Sequence, residues 1–215
     1  MVIRIKNIAF PSNTYLLINS NKQCIIIDPG TDYMSIDSEI TRLMLLPTYI
    51  LATHGHFDHV STVSFFQEKY EALFGIHFLD KTLLKSINFY RKVMKIEGYT
   101  AIPVPDFIFS KNTELLDLTG FEIRSYNFPG HTKGSCVFKW NDKLFTGDTL
   151  YVKGLGFNGF PGENKPILKK SLIHILDLFV KNYHVYPGHG KDDKLNNIRT
   201  RNTELFQFIE MPIDG

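Results

Sequence analysis

Apolar residues recur along the chain in two periods, and the change of period marks its elements. Val2-Ile3-Arg4-Ile5, Thr14-Tyr15-Leu16-Leu17-Ile18 and Cys24-Ile25-Ile26-Ile27 are short runs divided by Pro11-Ser12-Asn13 and Asn19-Ser20-Asn21-Lys22, which predicts an antiparallel meander. Ile36, Ile40, Leu43 and Met44 then fall at helical spacing over Ile36 to Leu46, and Pro47 stops the helix before a buried strand at Tyr49-Ile50-Leu51-Ala52. A helix over Val60 to Tyr70 and a strand at Gly75-Ile76-His77-Phe78 follow. Leu83, Ile87, Tyr90 and Met94 form one stripe of an amphipathic helix over Lys81 to Glu97. That helix either covers the core or serves as a substrate lid or dimer surface.

From Phe107 the period returns to two. Strands are predicted at Phe107-Ile108-Phe109, Glu114-Leu115-Leu116, Phe121-Glu122-Ile123-Arg124, Cys136-Val137-Phe138 and Lys143-Leu144-Phe145. A helix over Pro166 to Val180, a strand running into Pro187 and a closing helix over Leu195 to Ile209 complete the pattern. At 215 residues, 43% apolar and 21% charged, this is expected to be one globular domain over residues 1–215.

Net charge and cysteine usage narrow the function classes. A formal charge of +2 with dispersed Lys and Arg gives no support to nucleic-acid binding, and no apolar run has the length needed to cross a bilayer. Cys24 and Cys136 each sit beside an apolar run, which reads as two buried free thiols. Met1 to Phe10 interrupts its apolar residues with Arg4 and Lys6 and reads as a first strand, so cytosolic residence is the default.

The chemistry concentrates in Thr53-His54-Gly55-His56-Phe57-Asp58-His59, directly after the Tyr49–Ala52 strand. In an extended segment His54 and His56 point to one side, while Asp58 and His59 turn toward a neighbouring point as the chain bends. Three further positions share one setting, an apolar strand, then glycine, then the candidate ligand: Phe128-Pro129-Gly130-His131-Thr132, Phe145-Thr146-Gly147-Asp148-Thr149 and Val185-Tyr186-Pro187-Gly188-His189-Gly190. Such a set points to metal binding. Asp28, in Asp28-Pro29-Gly30, is either a turn residue or a support for the histidine loop. His77, His174 and His184 lack this setting and read as structural.

Together and in this order, these motifs closely resemble the metallo-β-lactamase superfamily, whose hydrolase branch carries the same histidine-rich loop and the Pro-Gly-His-Thr, Gly-Asp-Thr and Pro-Gly-His turns. The resemblance implies an α/β fold, a four-layer αββα sandwich. It further implies that His54, His56 and His131 bind one divalent ion and Asp58, His59 and His189 a second, with Asp148 bridging both. Zinc suits the nitrogen-rich site, and iron or manganese also suits the more oxygen-rich one. A hydroxide bridging the two ions is the implied nucleophile, with Asp58 and Asp148 central to its activation.

Within the superfamily the nearest likeness is the glyoxalase II group, hydroxyacylglutathione hydrolases that cleave a thioester; Phe145-Thr146-Gly147-Asp148-Thr149-Leu150-Tyr151 resembles their segment. Two departures concern the substrate. The chain stops soon after Leu195 to Ile209, where longer members carry a further helical region. Gly154-Leu155-Gly156-Phe157 is apolar where those members place a glutathione-binding lysine. The expected activity is hydrolysis of a small-molecule thioester or activated ester, with Lys153 and Phe157 as substrate contacts in a loop, Lys153 to Glu163, that either gates the site or is plain surface. Lys153 itself meets an anionic tail or points to water. Two other activities compete: a persulfide dioxygenase with one iron, and a non-catalytic domain that keeps metal for folding or partner binding.

Overall fold

A computed structural model of the chain describes residues 1–156, 159–160 and 162–212. The chain forms two compact units, one of Met1–Ser110 with Leu118–Phe121, the other of Lys111–Asp117 with Glu122–Gly215.

In the first unit six strands form a mixed sheet in sequential order: β1 (Val2–Lys6), β2 (Asn13–Ile18), β3 (Gln23–Ile27), β4 (Leu46–Leu51), β5 (Leu73–His77) and β6 (Phe107–Phe109). The expected meander is present, with Ile3 opposite Leu16 and Leu17 opposite Ile25. β3 then runs parallel to β4, joined by α1 (Tyr33–Leu43), which Asp32 caps by accepting from Ser35 N at 3.1 Å. Every residue of β2, which lies between β1 and β3, is buried. Helices α2 (Phe57–Val60), α3 (Val63–Tyr70) and α4 (Ile87–Val93) bury Val60, Phe66 and Ile87 in the same core as Leu16, Ile26, Ile50 and Phe74.

Two helices differ from expectation here. The helix predicted over Val60 to Tyr70 is a single turn followed by α3, broken between Val60 and Val63. The helix predicted over Lys81 to Glu97 begins as a 3-10 helix at Phe78–Ser86 and becomes α4 only at Ile87. In 3-10 geometry side chains three apart align, so Leu84 rather than Leu83 is buried beside Ile87, with Tyr90 and Met94 packed on the same core. This segment covers the core of its unit.

The second unit's sheet has the order β12-β11-β10-β9-β8-β7, from β7 (Thr113–Leu118), β8 (Phe121–Asn127), β9 (Cys136–Trp140), β10 (Lys143–Gly147), β11 (His184–Pro187) and β12 (Asp193–Lys194). β10 and β11 are parallel, connected by α5 (Lys165–Leu178), which Asn164 caps through Ile167 N at 2.9 Å. The closing helix is two, α6 (Leu195–Arg201) and α7 (Thr203–Glu210), because buried Asn202 leaves helical geometry and its side chain caps α7 through Leu205 N. Leu168, Leu172, Ile175, Val185, Leu195, Ile198 and Leu205 build this unit's core. The class is the expected one, mixed α/β with two sheets flanked by helices. No helix among the described residues is long and apolar enough to cross a membrane.

Candidate metal centre

In each unit a pair of adjacent parallel strands delivers the candidate ligands from their carboxyl ends. In the first unit Ile27 lies opposite Leu51, so the residues after β3 and β4 emerge side by side. Asp28 adopts φ 52°, and its carboxylate accepts from Thr53 N at 2.7 Å and from Thr53 Oγ1 at 2.6 Å. Of the two roles open to Asp28, the structure gives it the support of the histidine loop. His59 Nδ1 is 3.0 Å from Asp28 Oδ2 and His54 Nδ1 is 3.0 Å from Thr53 Oγ1.

These contacts assign the tautomers. A carboxylate only accepts, so His59 Nδ1 carries the proton and donates it to Asp28. Thr53 Oγ1 has one proton, already given to Asp28, so it accepts from His54 Nδ1–H. Both rings therefore present the lone pair of Nε2, the form that binds metal. The rings are gathered: His54 lies 4.8 Å from His56 and 4.2 Å from His59, centroid to centroid. Asp28, His54 and His59 each offer one ligand atom within 4.8 Å of the others. Asp58 is buried, with Oδ2 3.4 Å from His59 Nε2.

In the second unit Gly147 lies opposite Pro187 across the parallel pair β10 and β11, and Gly188 N donates to Gly147 O at 2.7 Å. The Gly-Asp and Gly-His turns are thereby held together, and His189 Nε2 is 3.4 Å from Asp148 Oδ2. His131 leaves β8 through a turn in which Gly130 has φ 134°; a Cβ there would meet Leu168 N at 2.3 Å, so α5 packs directly on the turn. His131 Nε2 is 3.5 Å from the same Asp148 Oδ2. Its Nδ1 faces Gly156 O at 2.8 Å, an acceptor only, which again leaves Nε2 as the candidate ligand atom.

The donor set fits divalent metal. Two ligands of one tetrahedral ion with bonds of about 2.0–2.1 Å are about 3.3–3.4 Å apart. The pairs Asp58–His59, Asp148–His189 and Asp148–His131, at 3.4, 3.4 and 3.5 Å, match that edge and exceed the usual length of a charged hydrogen bond. At His131 burial alone lowers the pKa; the hydrogen bond to Glu163, the charge of Asp148 and the Gly156 carbonyl outweigh it and hold the ring above its ordinary value.

The remaining predicted positions divide. His77 is buried and accepts from Leu79 N, His174 is exposed with its ring against Phe128, and His184 pairs with Asp192 at 2.7 Å. Lys153 is exposed. Phe157 lies outside the described residues.

Two carboxylates escaped sequence reasoning. Asp80, fully buried, accepts from Gly55 N at 2.8 Å and so fixes the backbone between His54 and His56. Glu163 Oε1 is 3.2 Å from His131 Nδ1. Each acts across 25 or more residues of sequence, and no local spacing signals it.

Comparison with known proteins agrees with this geometry. A family model described as the metallo-beta-lactamase superfamily matches residues 7–192. The chain is 31% identical over 186 residues to a Haemophilus influenzae protein named hydroxyacylglutathione hydrolase GloC, which covers 85% of this chain and 87% of that one. The crystal structure of BLEG-1 B3 metallo-beta-lactamase aligns with a TM-score of 0.87 at 24% identity, over 95% of this chain and 99% of that one, which shows the fold. That of TTHA1623 in a di-iron-bound form aligns with a TM-score of 0.79 at 28% identity, over 93% and 98%. The chain therefore belongs to the metallo-β-lactamase superfamily, whose members are mostly metal-dependent hydrolases.

Proposed function

We propose that this protein is a dinuclear metallohydrolase that cleaves a thioester or an activated ester of a small molecule. One ion is assigned to His54, His56 and His131, the other to Asp58, His59 and His189, and Asp148 to both. The observation that carries this reading is the position of Asp148 Oδ2, at 3.5 Å from His131 Nε2 and 3.4 Å from His189 Nε2. A single oxygen at ligand-to-ligand distance from both imidazoles suits a carboxylate shared between two ions.

Two bound divalent ions would lower the pKa of a water held between them and polarise a carbonyl. The nitrogen content of the set favours zinc, and the di-iron-bound form of the similar TTHA1623 structure favours iron. The chain's own residues supply the geometry. Asp28 and Thr53 hold His54 and His59 in the Nε2-binding tautomer, Asp80 fixes the Gly55 backbone, and the carboxylates of Asp58 and Asp148 offset the charge of the cations. A thiolate leaving group departs without a strong general acid, which favours thioesters over amides. The 31% identical relative named hydroxyacylglutathione hydrolase supports the same class. Lys153, exposed in the loop after Asp148, is assigned to an anionic part of the substrate and Phe157 to an apolar part. Cys24 and Cys136 are both buried thiols, which accords with a reducing compartment, and the cytosol is the proposed location.

The test pairs metal analysis with a screen of esters, thioesters, lactones and phosphodiesters on purified protein. Thioester turnover that falls by orders of magnitude in Asp58→Ala supports the proposal. Unchanged turnover in that variant, or oxygen uptake with glutathione persulfide on a single iron, overturns it.

A further inference from the structure

We infer that Glu163 is a positioning residue for His131: it couples the loop after Asp148 to the ligand and sets how tightly the ion at that histidine is held. The inference deepens the proposed function and rests on His131 being a metal ligand.

The Glu163 side chain is only 2% exposed, with Oε1 3.2 Å from His131 Nδ1 and Oε2 accepting from Gly159 N at 2.6 Å. The next residue, Asn164, donates its backbone N–H to Gly130 O at 2.7 Å. The end of the loop is thus fastened to two consecutive residues of the ligand turn. At the loop's other end Asn202 Nδ2 donates to Tyr151 O at 3.1 Å and Gly154 O at 3.0 Å. Between them Gly156 lies against Asp148, where a Cβ would sit 1.6 Å from Asp148 O. The described part of this segment is therefore held at both ends, with Gly156 and Glu163 set directly against the candidate ligands Asp148 and His131.

The Gly156 carbonyl already fixes the tautomer of His131, at 2.8 Å from Nδ1. Glu163 adds what a carbonyl lacks, a full negative charge beside the ring. A carboxylate on the far nitrogen of a ligating histidine makes the near nitrogen a stronger donor, and losing such a partner lowers metal affinity about 10- to 100-fold.

Wild-type protein, Glu163→Gln and Asn164→Ala are each loaded with zinc and titrated with a chromophoric chelator, and thermal unfolding is recorded in parallel. Gln can keep an oxygen acceptor toward His131, but it removes the charge and turns its NH2 toward Gly159 N–H, so that one bond is lost with it. Ala at 164 removes the α5 cap at the same end of the loop without touching the His131 contact. We expect Glu163→Gln to release one zinc ion at about 10- to 100-fold lower chelator strength. Asn164→Ala should keep wild-type affinity despite a lower melting temperature. Equal retention by wild type and Glu163→Gln overturns this inference alone, as does equal weakening in Asn164→Ala. A wild-type chain that takes up no zinc overturns the metallohydrolase proposal as well.

Discussion

His59 Nδ1 lies 3.0 Å from Asp28 Oδ2, and both side chains are buried. The carboxylate fixes the ring's proton on Nδ1, because it has no proton of its own to give. An Asn at 28 tolerates the left-handed backbone found there, φ 52°, but its amide NH2 can face the ring only if Nδ1 accepts. The other nitrogen would then carry the proton and cease to be a ligand. Asp28→Asn is expected to keep its fold by circular dichroism and to bind metal about 10- to 100-fold more weakly, read by chelator competition. Wild-type affinity in this variant would show that Asp28 does not orient the ring.

Gly156 places its carbonyl against His131 and its Cα against Asp148, where a Cβ would meet Asp148 O at 1.6 Å. Gly156→Ala must move either the loop or the Asp148 backbone. The expected cost is about 3 kcal/mol or more, at the upper end of overpacking, with a loss of bound metal. Chemical denaturation measures the first and metal analysis the second. A variant as stable as wild type would contradict the close approach.

Cys24 is fully buried in the first unit's core, and burial pushes its thiol up to about 12. In the unfolded chain the same thiol titrates near 9.0. Between these values the folded state retains a proton that the unfolded state has released, so stability falls as pH rises through that window and is unaffected below it. Native protein at pH 8 is expected to resist alkylation at Cys24 and to react once denatured. Rapid labelling of native protein at that residue would contradict the placement.

Asn202 both caps α7 and donates to the carbonyls of Tyr151 and Gly154. Asn202→Ala removes a cap worth about 1 kcal/mol and exposes two carbonyls to a loss of about 1–3 kcal/mol. Asn202→Asp retains the cap acceptor but turns a buried carboxylate oxygen toward the two carbonyls, which adds repulsion and the cost of a buried charge to the lost donations. Denaturant unfolding should rank wild type above Ala and Ala above Asp, with hydrogen exchange rising at residues 151–154 in both variants.

The placement of the candidate ligands at strand ends was legible in the sequence because each follows an apolar strand and a sharp turn. The parallel pair β3 and β4 was legible for the same reason, through the helix between them. Asp80 and Glu163 were not legible, since their roles are set by partners 25 and 32 residues away. The break at Asn202 was hidden because the residues on both sides keep a helical period and only the side-chain cap interrupts it. The 3-10 turn at Phe78–Ser86 escaped because the stripe chosen from the sequence assumed 3.6 residues per turn, while Leu84 and Ile87 are buried three apart.

The central claim is that the histidine loop and the three glycine turns together bind a pair of divalent ions. Metal content per chain, measured on protein purified without chelator and again after Asp148→Ala, tests it most directly. Two ions per wild-type chain, with at least one lost in the variant, is the predicted result. A wild-type chain that binds one ion or none under saturating zinc, or two ions retained without Asp148, would contradict it.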